Sequence, residues 1–301
     1  MFGLTEKAEN TYSDLKGDEW YADAILKCTA AGIMKGDGVS CNATAQISRQ
    51  ETMVTLRRAV GDIPAGEPDK SRFPDGAEVA DWAAGYLAPL AEMGILTGVG
   101  DGSAAPAANI DRASMMALLD KAVVEYVNAP GEVAVDNANG FVVVNVAAGE
   151  GEVVLTGTAA GVVVASGTTG GKVVAKDLSA GTVKVDGAAA VSVEGGSTVG
   201  TVAVSAAASV EIAKSAKADA VEVTGADARL TVAGTVGSVA VAESAANTQV
   251  KAEAGAKITS VENAAEGLTV TGKGSVGAVS TTAEAKVSTP NTVTTHTETR
   301  V

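Results

Sequence analysis

The residue types that could carry chemistry are few and scattered. His296 is the only histidine in 301 residues, so a histidine-based triad or a histidine metal cluster is close to excluded. Enzymes that cut polysaccharides on β-rich scaffolds use clustered carboxylates, bound cations and aromatic subsites. Here the acids from Asp177 to Glu284 are spread along the chain, mostly beside strand ends where solvated charge protects an edge. The loops GDG at 36–38 and GVGDG at 98–102 raise the question of calcium. Their acids are too few for a full oxygen cage, and a tight turn explains them as well. No glycine-rich phosphate loop opens a helix. The expectation is no catalytic residue, no metal and no cofactor, structural calcium being the one ion the loops bring to mind.

The elements that would position any site change character near residue 130. Both Trp, all four Tyr, both Cys and all six Met precede that point, and Phe141 is the only aromatic after it. The two halves therefore need different cores. A formal charge of −14 offers no basic stripe for phosphates, which argues against nucleic acid. No run of eighteen apolar residues is present, so no membrane-spanning helix is expected. The stretch from Met1 to Asp18 lacks the basic and apolar blocks of a secretory signal.

The first half is a duplication. Tyr12-Ser13-Asp14 answers Phe73-Pro74-Asp75 at a distance of 61 positions, Trp20 answers Trp82 at 62, and Arg49 answers Arg112 at 63. Each unit reads as helix, loop, helix. In the first helix Trp20, Ala24, Cys28 and Ala31 recur at helical spacing, and Gly32 follows as the stop. The second helix opens at Ser48, with Glu51 completing a capping box and Met53, Leu56 and Val60 on one face. In the second unit Asp111 takes the cap, and Ser114 replaces the boxed acid. Trp20 and Trp82 are expected as core anchors, since a fold with few aromatics needs their volume.

This pattern resembles the S-layer homology family. The elements that carry the resemblance are YSD, WYADAI, GIMKG and ISRQE in the first unit and FPD, WAAGYL, GILTG and IDRAS in the second. The resemblance implies binding of a cell-wall polysaccharide, typically a pyruvylated secondary polymer, in grooves between repeats. Family members commonly pack three such repeats into a prong, and two are visible here. Carried over by position, it implicates Arg49 and Arg112 in that site, with the loop backbone at Gly36 and Gly98 supplying amides. A guanidinium at a helix N-terminus would add a bidentate donor to a place already favourable for a carboxylate. The family fold also makes Cys28 and Cys41 candidates for a disulfide, with a pair of buried free thiols as the alternative. It further implies an extracellular place on a bacterial wall, with any export signal removed and Met1 a processing boundary.

From Phe141 onward the chain reads as short Val-rich strands nine or ten residues apart, with an echo near nineteen at VGTVAV, AKADAVEV, VGSVAV, AKITSVEN and VGAVST. Two strands per period fit a β-solenoid of seven or eight coils stacked about 4.8 Å apart. An antiparallel sandwich is the alternative. The expected class is thus α+β and multidomain, with all-α repeats at 1–66 and 67–130 and an all-β domain at 131–289. Residues 290–301 read as a frayed tail or as a strand exchanged with the rod end of another copy. The functional expectation is a non-enzymatic bacterial surface protein whose repeats anchor it to wall polysaccharide while the rod projects. The other reading is a self-assembling fibre or lattice subunit, with itself as partner and no sugar bound.

Overall fold

The computed structural model describes residues 2–61, 70–147 and 149–290, and the backbone of 293–296. The expected boundary between residues 66 and 67 and most of the tail lie outside these residues. The chain divides into two compact units, a helical one over Leu4–Val124 with 139–141 and a β unit over Glu125–Ala138 and from Val142 onward.

The helical unit holds α1 (Ala22–Ala30), α2 (Arg49–Val60), α3 (Asp81–Glu92) and α4 (Arg112–Ala122). Helix α2 starts where the capping box places it. The Ser48 hydroxyl accepts from the Glu51 N–H, and the Ser48 N–H donates to the Glu51 carboxylate at 2.8 Å. Helix α4 keeps only half of that device, Asp111 accepting from Ser114 N–H at 2.6 Å. Met53, Leu56 and Val60 are buried as their spacing predicts.

The expected stripe of α1 is turned about its axis. Ala22 and Ile25 are buried with Tyr12, Leu15 and Cys41, while Ala24 faces solvent. Trp20 is 92% exposed and Trp82 52%, so neither anchors the core. The reason is local: Trp20 precedes the first turn of α1, and its ring meets Tyr21 edge-on at 5.4 Å. The aromatic volume comes from Tyr12 instead, whose hydroxyl is 3.0 Å from Thr29 Oγ1. Between α2 and α3 the stacking partner is Tyr86, with the guanidinium carbons of Arg57 and Arg58 each 5.4 Å from its ring centre.

The β unit is a parallel β-solenoid. A short strand, β1 (Val123–Val127), comes first, followed by three long ones, β2 (Gly131–Val144), β3 (Glu152–Val164) and β4 (Lys172–Val185). One ladder then continues through β5 (Ala190–Glu194), β7 (Ser209–Ile212), β9 (Arg229–Val232), β11 (Gln249–Ala252), β13 (Leu268–Gly272) and β15 (Ala285–Ser288). The other runs through β6 (Thr198–Val204), β8 (Lys217–Val223), β10 (Thr235–Val241), β12 (Lys257–Asn263), β14 (Ser275–Thr281) and β16 (Val293–His296). The two ladders join at β4, whose first half pairs β5 and second half β6, and every pairing from β3 to β16 is parallel. The sandwich alternative is thereby set aside. Strand β16 adds to β14 of its own chain, with Val293 beside Ala278.

Inward columns explain why a chain of small residues suffices. Val202, Val221, Val239, Val261 and Val279 stack in register along one ladder, and Val191, Val210, Leu230 and Val250 along the other. All are buried, and a flat coil only two side chains thick needs nothing larger to reach interior density. One inward column changes chemistry along the rod. Val204, Val223 and Val241 give way to Asn263, which is buried and donates to Ala265 O and to Thr281 Oγ1, each at 2.9 Å.

Candidate functional site

The helical unit contains a pocket of about 260 Å³, lined by Arg49 from the first repeat and by Thr97, Gly98, Ser114, Leu118 and Lys121 from the second. Its walls are the loop after α3 and one face of α4. The structure thus brings Arg49 and Gly98 to the same cavity. Arg112 and Gly36 are exposed and line no part of it.

Arg49 is the most constrained of the four. Only 9% of it is exposed, its Nε–H donates to Ala104 O at 2.9 Å, and a terminal N–H reaches Thr97 O at 3.5 Å. The side chain is held across the loop by that fork, with donors left over at the guanidinium tip. The helix N-terminus that carries Arg49 is not free, contrary to the sequence expectation. Its first two amides, Arg49 N–H and Gln50 N–H, donate to Ala108 O and Pro106 O. An antiparallel bridge between Ser48 and Asn109, with Asn109 Nδ2 on Gln46 Oε1, joins the repeats at the same place. Those amides hold the second repeat's loop and leave none for an anion.

The loop itself is fixed by a residue whose role the sequence did not reveal. Asp75 accepts from Ala104 N–H at 2.7 Å through one oxygen and from Ala105 N–H at 2.8 Å through the other. Asp14 does the same in the first repeat with Cys41 N–H and Asn42 N–H, both at 2.8 Å, and these bonds hold its carboxyl below the usual aspartate range. The residues gripped last, Asn42 and Ala105, both sit in the left-handed region, at φ of 52° and 48°. Ala104 therefore takes Asp75 on its N–H and Arg49 on its C=O, so Asp75 aligns the wall that Arg49 spans. The signal was present in the recurring aromatic-x-Asp motif, read there as a marker and not as a clamp.

Glycine is required in the loop by crowding. A Cβ at Gly98 would fall on the Gly102 carbonyl, with its carbon 2.5 Å away. Gly36, at φ 58°, would meet Ser40 O and the Tyr12 ring. The acids of these loops serve the turns. Asp37 accepts from Val39 N–H and Ser40 N–H, and Asp101 from Ser103 N–H.

Arg49 and Lys121 give the pocket two cations, and none of its lining residues is acidic. Lys121 reaches Thr97 Oγ1 at 3.3 Å, which places its ammonium beside the loop that Arg49 crosses. In a chain of net charge −14 this is an inversion of the local sign. The arrangement suits an anionic group with neutral hydroxyls around it.

The disulfide implied by the resemblance is not made. Cys28 and Cys41 are free thiols, and Cys41 packs among Tyr12, Leu15, Ala22 and Ile25, a cluster that does not include Cys28. Desolvation raises the pKa of both.

The family model of the S-layer homology domain matches residues 11–52 and 72–116, the two helical units of the duplication. The chain is similar to an amylopullulanase of Thermoanaerobacterium thermosulfurigenes, 31% identical over 117 residues that make up 38% of this chain and 6% of that protein. It is also similar to the exoglucanase XynX of Acetivibrio thermocellus, 30% identical over 40% of this chain and 11% of the relative. A surface-layer 125 kDa protein of Lysinibacillus sphaericus is 34% identical over 32% of this chain and 8% of its own length. The shared stretch thus spans about a tenth or less of each relative. No solved structure matches.

Proposed function

We propose that the two helical repeats anchor this chain to bacterial cell-wall polysaccharide, that the groove between them takes an acidic, pyruvylated sugar, and that the solenoid projects as a non-enzymatic structural rod. The observation that carries the reading is the pocket at Arg49, where two cations and no acid meet the Gly98 loop. In this reading Arg49 offers the free end of its guanidinium to the carboxylate, Lys121 adds charge, and Thr97 and Ser114 meet sugar hydroxyls. The match of the helical segments to a domain family found in wall-attached proteins supports the place at the cell surface. Two of the similar proteins carry enzyme names, and their shared stretch lies in the repeats, so catalysis is not transferred with it. The test is co-sedimentation of the chain with purified wall sacculi, native and after mild-acid removal of pyruvyl groups. Binding to the native walls alone is expected. Equal binding to both would refute the assignment of the acidic group.

A further inference from the structure

On the outer face of the β6 ladder four exposed charges of β8 and β12 form one basic and one acidic column. Lys217 and Lys257 stand at the first position of β8 and β12, and Glu222 and Glu262 at the sixth position of the same strands. All four are exposed. The strands between them, β6, β10 and β14, carry Thr198, Thr235 and Ser275 in the lysine column and Ala203, Ala240 and Ser280 in the glutamate column. The columns are about 16 Å apart, and like charges about 10 Å apart along the rod, on standard strand dimensions. Leaving every second strand neutral avoids stacking like charges at one strand spacing. It does not account for the signs lying on opposite sides. Nor are the four spent internally, since none has an ion-pair partner among the described residues. The other charges of the face are Asp219, two residues from Lys217, and Lys184, which stands at the near end of the glutamate column in register with Ala203 and is paired to Asp186 at 3.1 Å.

The two columns also differ in shape. Along the glutamate side runs a groove of about 450 Å³, lined by Glu222, Ala240, Glu262, Ser280 and Thr224 among others. The lysine side carries the long side chains. Between them lie the small residues Thr201, Ala220, Ser238, Ser260 and Ala278.

We propose that this face docks a second copy of the chain, related by a twofold axis parallel to the rod. That operation lays each lysine column over the other copy's glutamate groove. Because Lys217 and Glu222 share one strand, and Lys257 and Glu262 another, all four cross-pairs fall at matching heights. Turning the second rod end for end would place lysine over lysine, so the charges select parallel rods. Six strands by roughly six residues give a footprint of ~550 Å² per copy, which sits in the weak, transient class of interfaces. The proposal goes beyond wall anchoring and does not depend on it, and a reversible dimer of parallel rods would double the number of wall-binding grooves per particle.

Sedimentation velocity of the full chain at low salt tests it. The weight-average mass should rise from 29.6 kDa toward twice that value between ~10 µM and ~1 mM. Lys217→Glu with Lys257→Glu, and separately Glu222→Lys with Glu262→Lys, should each remain monomeric, with at least about tenfold weaker self-association. An equimolar mixture of the two variants should restore the dimer, because one then carries acid on both columns and the other base. Circular dichroism of each variant alone checks that the rod is folded. A monomeric parent at ~1 mM, a dimer indifferent to either charge reversal, or variants that fail to associate when mixed would each overturn the proposal.

Discussion

Replacing Arg49 and Arg112 one at a time separates the two arginines that the duplication presents as equals. Arg49 is 9% exposed as a residue, and its guanidinium bonds Ala104 O at 2.9 Å, with a second contact at the limiting 3.5 Å. One good hydrogen bond from a charged donor is worth about 1.5–3 kcal/mol, and the long contact adds little. Arg49→Ala should therefore lower the stability of the helical unit by ~1.5–3 kcal/mol, a drop of roughly 5–12 °C in its thermal midpoint for a unit of this size. Losing the carboxylate contact should weaken polymer binding by a further ~10–100-fold, measured by calorimetry against soluble wall polymer at a temperature where the variant is folded. Arg49→Lys keeps the charge without the fork, so it should fold better than the alanine variant and bind nearly as poorly. Arg112 is exposed, and Arg112→Ala should move stability by no more than ~0.5 kcal/mol and affinity by less than ~threefold. Equal loss of binding in the two alanine variants would refute a site built between the repeats. So would an Arg49→Ala protein that binds as the parent does.

Three further outcomes follow from the loops and the coil. Ala105 sits at φ 48°, where a non-glycine residue costs roughly 1 kcal/mol and asparagine is better tolerated, so Ala105→Asn, copying Asn42, should stabilise the helical unit by ~0.5–1 kcal/mol in urea titration. In the solenoid a Cβ at Gly200 would lie 2.5 Å from Gly181 O, and Gly200→Ala should cost ~1–3 kcal/mol, read as an earlier unfolding of the β signal in circular dichroism. Acid should melt the helical unit. The carboxyls of Asp14, Asp37, Asp101 and Asp111 are lowered from 3.8, chiefly by the N–H groups of Cys41, Ser40, Ser103 and Ser114. A depressed folded pKa contributes stability that is present above the unfolded value and is lost as the pH falls through the folded one. Helical signal at 222 nm should thus hold from pH 7 to about 4 and decline below it, and a helix content unchanged down to pH 2 would contradict this.

The elements that were legible in the sequence are those fixed by short-range chemistry. Ser48 and Glu51 announce the start of α2 because both halves of the box lie within one turn. The solenoid was legible because each coil repeats the one before it, so the nineteen-residue echo is itself a long-range contact written locally. Trp20 and Trp82 were misread because a helical stripe fixes spacing and not phase. The turn that actually begins α1 sits two residues later, and Tyr12, outside the helix, fills the volume.

The site obeys a different logic. Duplication gives Arg49 and Arg112 the same local structure, each the first residue of a helix after a capping side chain. What surrounds them is set by packing between units, which the repeat does not copy. Arg49 finds the loop of the second repeat, held in place by Asp75 through Ala104, and becomes one wall of a groove. Gly36 belongs to the first repeat's own loop, gripped by Asp14 through Cys41 in the same way, and it lines no part of the groove. A site formed between repeats exists once for every adjacent pair, so two units make one such groove however closely their sequences agree. Equivalence in sequence tells which parts recur, and only the packing of one repeat on the next decides which copy of each part lines the groove.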